Sequence, residues 1–389
     1  MKYERKTAPL RPWRTQRCPV AHDRRRRFFL QGLICSLTVA AASPATAASN
    51  RTQIRFMCWE GYNYPTMYAD FEAKNNATIS FDVIADSPAG FARLLAGGTE
   101  DIELIASDSP WIQQMGPAGL CEFINPADFK AVIDDVYPAF RAPFAPLLYD
   151  GKVTGLPTRW AWIGPAINLD LTREKEWRYY DGCFDPANRG KIGVMDWGDW
   201  PIMPLALHAG INPYRELDHH EFAEVRKVIR ALFRLEPHFF TDISLSQKAL
   251  IDGSVKALVG TGLYHTGALR RLGYNNIRAI VPESRHGLKQ SIIAVEAASI
   301  VKSPRHPQLI HKLLRYLLST KVLYQLSWTN FTVAPVAYRH VEYLYNDVQK
   351  NALQFEDYQE ALEKSVIHDV IPNINELLTI WQEEMARVL

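Results

Sequence analysis

From residue 54 onward, short apolar runs alternate with segments of helix length, and this alternation leaves few architectures open to the chain. Runs at 54–58, 78–84, 102–106, 191–195, 256–259, 277–281 and 291–295 read as strands. Between them, 65–74 presents Met67, Tyr68 and Phe71 on one face, and 222–233 presents Val225, Val228, Ile229 and Leu232. Strands separated by helices predict an α/β protein with largely parallel sheets. The strongest periodicity spans 307–326, where Leu309, Ile310, Leu313, Leu314, Leu317, Leu318 and Val322 recur at helical steps and predict one long helix. Beyond Asn330 the pattern reads as helical throughout, from 340 to the end. No repeat or flexible linker is visible, so two domains would be joined by short crossings.

Residues 1–47 have a different character. They hold ten Lys/Arg against Glu4 and Asp23, whereas the whole chain has 44 basic and 42 acidic residues. The excess of base therefore lies in this segment, and the remainder is acidic. A nucleic-acid binder would show the reverse. Arg24 to Arg27 precede an apolar run, and Ser43-Pro44-Ala45-Thr46-Ala47 closes it with an A-x-A cleavage pattern. Arg26-Arg27-Phe28-Phe29-Leu30 fits the core of a twin-arginine export signal. The apolar run is shorter than the roughly 20 residues that cross a bilayer, which favours a cleaved signal over an anchor. The expectation is a twin-arginine-type signal peptide at 1–47, cut near Ala47, and a mature chain in the periplasm. Cys58, Cys121 and Cys183 would remain, without a C-x-x-C pair, so either a Cys58–Cys121 bridge or buried free thiols fits.

Cofactor and nucleophile motifs are largely missing. Gly260-Thr261-Gly262 is followed by His265 where a dinucleotide loop needs its third glycine, and His219-His220-Glu221 lacks the second histidine of a zinc helix. The sequence gives no support for a catalytic residue, a metal site or a cofactor. Aromatic side chains beside carboxylates stand out instead, at predicted carboxyl ends of strands, where open α/β sheets bind ligands. Trp59, Glu60 and Tyr62 follow the first strand; Asp108 and Trp111 follow the third. Trp160 and Trp162 follow a Gly155-Leu156-Pro157 turn, and Asp196, Trp197, Asp199 and Trp200 follow 191–195. An aromatic face attracts a cation and packs methylenes, and a carboxylate accepts hydrogen bonds from an ammonium group. Together they suit an organic amine.

These residues, in this order, resemble the periplasmic solute-binding proteins of ABC importers, in particular the spermidine/putrescine-binding branch. Trp59-Glu60-Gly61-Tyr62 with Asp70-Phe71-Glu72 is similar to that family's opening strand, ligand loop and first helix. The segments 94–108, 155–168 and 184–196 resemble its next three steps, while 282–299 and 330–335 resemble the second crossing and closing loop. The resemblance implies a type II periplasmic-binding-protein fold, with two α/β lobes around a ligand cleft joined by hinge crossings. One lobe would comprise 51–152 with 292–334, the other 159–287, and 335–389 would form C-terminal helices packed outside. It implies a non-enzymatic monomer that captures a polyamine such as putrescine or spermidine and delivers it to an ABC permease in the inner membrane. The ligand residues it suggests are Trp59, Glu60, Tyr62, Asp108, Trp160, Trp162, Asp196, Trp197, Asp199, Tyr264, Lys289 and Asn330. Lys289 and Arg159 would instead favour a zwitterionic or anionic ligand, such as an opine or an amino-acid derivative, if they faced the cleft. The twin-arginine pattern also leaves room for an exported enzyme.

Overall fold

Strand order follows directly from where the apolar runs pair. The computed structural model describes residues 51–141, 144–329 and 332–387; the N-terminal segment with its export pattern, and Asn330, lie outside the described residues. The strands are β1 Thr52–Cys58, β2 Ala77–Val83, β3 Leu104–Asp108, β4 Leu148–Tyr149, β5 Lys152–Val153, β6 Leu156–Ile163, β7 Ala166–Asn168, β8 Ile192–Met195, β9 His238–Phe240, β10 Ala257–Val259, β11 Ile277–Ala279, β12 Ser291–Ile300 and β13 Ser365–Ile367. The first sheet runs β13-β12-β3-β1-β2, with β6 also paired to β12. In it β1 lies parallel to β2 and β3, and β12 antiparallel to β3. The second sheet runs β11-β7-β10-β8-β9, with β8 parallel to β9 and β10.

Each sheet has its own core, because its strands are apolar on more than one face. Phe56, Leu104 and Ile300 of the first sheet pack with Leu313, Leu314 and Leu317. In the second, Ile192, Val194 and Val259 pack with Val225, Ile229 and Trp381. Leu258 faces the other way, onto Leu250 and Leu269. Two long antiparallel strands, β6 and β12, run from one core to the other: Trp160 and Val295 belong to the first, Ile163 and Ile292 to the second. Ile163 also bridges Gly262. Gly262 has a φ of +152°, and a Cβ there would lie 2.0 Å from the Trp162 carbonyl oxygen, so only glycine permits this approach.

Two expectations change, and one open alternative is decided. The run at 307–326 is two helices, Pro307–Leu317 and Thr320–Ser327. Extended Ser319 separates them, its hydroxyl donating to the Tyr316 carbonyl, a local alternative to the helical ladder. The C-terminal segment is not helical throughout, since β13 adds parallel to the start of β12. Its last helix, Ile374–Met385, lies on the helix His219–Phe233, where Glu384 accepts from Arg226 and Arg230. Finally, Cys58, Cys121 and Cys183 are free and buried, not bridged. Among the described residues no helix is long and apolar enough to cross a membrane.

Candidate functional site

The carboxyl ends of the parallel strands of both sheets converge on one cavity of about 170 Å³. From the first sheet come Trp59 and Glu60 after β1, Ile84 after β2 and Asp108 at the end of β3. The second sheet contributes Trp197 and Trp200 after β8, Asp242 after β9 and Tyr264 after β10, and Glu296 enters from β12. This is the crevice that open parallel sheets leave at their strand ends. Among the described residues, four carboxylates and four large aromatic rings line it, and no Lys, Arg or His does.

Its floor is a buried ion pair. Arg159, fully buried on β6, donates through Nε to Glu296 Oε2 and through Nη2 to Oε1, both at 2.9 Å. Tyr62 Oη donates to the same Oε2 at 2.6 Å, and its ring lies 4.7 Å from the guanidinium. Arg159 Nη1 donates to Thr332 Oγ1 at 2.7 Å, and Tyr264 covers the guanidinium at 5.6 Å. Three of the roughly four acceptor positions of Glu296 are thus committed within the protein, and its charge is paired with that of Arg159. The loop above closes through Gly61 (φ +97°), where a Cβ would meet Thr332 Oγ1 at 2.3 Å and Arg159 Nη1 at 2.9 Å.

The other three acids keep acceptor capacity. Asp108 accepts one hydrogen bond on Oδ2, from Ser87 Oγ at 3.0 Å. Its Cα is the register partner of Glu296 across the β3–β12 ladder, which puts two carboxylates side by side. Burial pushes the Asp108 carboxyl up to about 7; Glu296 and Asp199 push the same way, whereas His368 and the Ser87 hydroxyl oppose. Asp242 caps the helix Ile243–Asp252 with one oxygen, leaving the other. No hydrogen bond within the described residues engages the Glu60 carboxylate. Opposite these acids, Trp197 and Trp200 meet edge to face at 5.8 Å, and Trp197 is fixed by its indole N–H donating to the Thr241 carbonyl at 3.0 Å.

Of the residues named from sequence, the structure therefore brings Trp59, Glu60, Asp108, Trp197 and Tyr264 together around the cavity. Tyr62 lies beneath it, against Glu296. Trp160 and Trp162 are not in its wall: both are buried in the first core, on β6, with Trp160 packed edge on to Tyr358 at 5.0 Å. Asp196 and Asp199 turn away as well. Asp196 Oδ1 accepts from Trp381 Nε1 at 3.0 Å, and Asp199 Oδ2 pairs with His368 Nε2 at 3.1 Å. Lys289 donates to the Ser365 carbonyl at 3.2 Å, at the base of β13. Sequence reasoning missed Glu296 and Asp242 as wall residues, and placed Trp200 in a strand-end cluster without naming it among the ligand residues. Glu296 did leave a signal, as a lone acid inside the buried apolar run of β12, a place where a carboxylate must be paired. Among the described residues no group of three or more His, Cys, Asp or Glu is placed to hold a metal ion.

No protein-family model and no curated protein matches the chain. Solved structures do. A Listeria monocytogenes protein provisionally described as a spermidine/putrescine ABC transporter superposes with a TM-score of 0.69 at 15% identity, over 87% of this chain and 98% of its own. The spermidine/putrescine ABC transporter substrate-binding protein PotD of Streptococcus pneumoniae gives 0.66 at 12% identity, over 87% and 100%. The PotD lipoprotein of Treponema pallidum gives 0.64 at 14%, over 86% and 99%. The chain thus has the two-lobed periplasmic-binding fold of these ABC-transporter binding proteins.

Proposed function

We propose that this protein is the substrate-binding component of an ABC importer and captures a small organic cation, a diamine or polyamine such as putrescine or spermidine, for delivery to a membrane permease. The observation that carries the reading is the cavity wall, where carboxylates with free acceptor capacity face indole and phenol rings and no basic side chain intrudes. Glu60 and Asp108 stand on the first sheet's side and Asp242 on the second's. A ligand with ammonium groups at both ends can engage both sides at once while its methylenes lie against Trp197 and Trp200. In this reading residues 51–152 with 292–334 form one lobe and 159–287 the other, the export signal at 1–47 is removed, and the chain works as a monomer in the periplasm.

No observation favours a second reading. Of the two cations on which an acidic or zwitterionic ligand would depend, Arg159 is paired with Glu296, and Lys289 is not in the cavity wall but donates to the Ser365 carbonyl at the start of β13. The test is Glu60→Gln, which keeps the shape of the loop and removes its charge. A charge-assisted hydrogen bond contributes about 1.5–3 kcal/mol, so spermidine affinity measured by calorimetric titration should fall by roughly 10- to 100-fold. An unchanged affinity would remove Glu60 from the site.

A further inference from the structure

The loop carrying Trp197 and Trp200 is gripped at both ends by the C-terminal segment, from residues far away in sequence. Asp196, its first residue, accepts the indole N–H of Trp381 at 3.0 Å. Asp199 accepts from His368 at 3.1 Å, and both members of that pair are buried. His368 is itself fixed at the end of β13, its backbone N–H donating to the Ile293 carbonyl of β12 at 2.8 Å. Two further contacts tie this strap to β12 and its approach: Ser365 Oγ to Ser291 Oγ at 2.8 Å, and Lys289 to the Ser365 carbonyl. A loop left to itself would be among the most mobile parts of such a molecule. Here the two acids that a sequence reading assigns to the ligand are used to hold the two tryptophans still.

We propose that His368 and Trp381 are positioning residues for the cavity: through Asp199 and Asp196 they fix the Trp197–Trp200 wall, so ligand affinity depends on a C-terminal strap that does not touch the ligand. The dependence of affinity rests on the cation-binding reading above; the control of the loop does not. The two parts are tested together in the purified protein by amide hydrogen exchange and by spermidine titration. Three variants bear on it: His368→Ala, His368→Gln, whose amide N–H reaches the position of the imidazole Nε2 and so retains a donor for Asp199, and Trp381→Phe, which keeps an aromatic ring and loses the N–H. Leu314→Ala, in the first core and away from the loop, serves as the control for general destabilisation.

The expected result is that His368→Ala and Trp381→Phe each speed exchange at 196–200 by about tenfold, the loss of one buried hydrogen bond. Spermidine affinity should fall with it, His368→Gln should restore both, and Leu314→Ala should leave loop exchange and affinity as in the wild type. Unaltered loop exchange in His368→Ala and Trp381→Phe overturns the proposal, as does an equal effect of Leu314→Ala. If spermidine fails to bind the wild type, the cation-binding reading falls, and the exchange data still decide whether the strap controls the loop.

Discussion

Arg159→Met is expected to destabilise the protein by about 3–5 kcal/mol, the cost of leaving one member of a buried ion pair without its partner. The guanidinium is fully buried and holds Glu296 by a two-pronged contact, and among the described residues Tyr62 supplies the one other donor to that carboxylate. Without Arg159, the Glu296 charge would sit under the cavity beside Asp108 with no compensating cation. Glu296→Leu strands the opposite charge and should cost a comparable amount. The double variant Arg159→Met/Glu296→Leu is expected to recover much of the loss, because a buried pair taken as a whole contributes little beyond what well-packed apolar groups provide. Urea unfolding of the four proteins measures the cycle. Single variants within about 1 kcal/mol of wild type, the range of a solvent-screened surface pair, would show that the pair is not an internal support.

Asp108→Asn should separate stability from binding. Burial holds this carboxyl at about 7 in the folded chain, against an unfolded value near 3.8. A raised folded value means that the native state holds the proton more tightly than the unfolded chain. The stabilisation from that proton is complete below about pH 4 and is lost as pH rises towards and through 7. At pH 8 the ionised, buried carboxylate then costs on the order of 4 kcal/mol, which an uncharged amide avoids. Asp108→Asn is therefore expected to be more stable than wild type at pH 8 and nearly equal to it at pH 4. Binding should move the other way. An ammonium group favours the ionised form, so wild-type spermidine affinity should rise between pH 6 and 8, whereas the variant should bind roughly 10- to 100-fold more weakly at pH 8. Glu296, Asp199 and His368 also face Asp108. The difference between wild type and variant isolates Asp108 from them. A variant that binds as well as wild type at pH 8 would exclude Asp108 from ligand contact.

Much of this was legible in the sequence, for physical reasons that also mark where legibility stops. Strands β3, β8, β10 and β12 announce themselves because strands buried on both faces are near-continuous apolar runs, whether they pair parallel, as β8 and β10 do, or antiparallel, as β12 does with β3. Trp59, Glu60 and Asp108 could be placed at the site because a strand end fixes its next one or two residues in space. The same rule misplaced Asp196 and Asp199. Their direction depends on Trp381 and His368, which local pattern cannot connect to them. Trp160 and Trp162 read as ligand aromatics from their place after the Gly155-Leu156-Pro157 turn, yet they lie within β6, where pairing with β12 buries them, and Trp160 reaches only a small cavity of about 10 Å³ beside Asp108 and Glu296. Fully burying a side chain of that size contributes at least about 1.5–3 kcal/mol, so a tryptophan inside a strand belongs first to the core. β13 escaped because Ser365–Ile367 follows directly on the helix Tyr358–Lys364, with no turn residue to separate the two in the sequence.

The central claim, capture of an organic cation, is tested most directly by isothermal titration of the purified protein with putrescine and spermidine on one side and citrate and an opine on the other. A cavity walled by Glu60, Asp108 and Asp242, with its one buried arginine already spent on Glu296, predicts saturable binding of the amines, weakened by added salt, and no heat from the acids. Binding of citrate or the opine with no response to either amine would contradict the account.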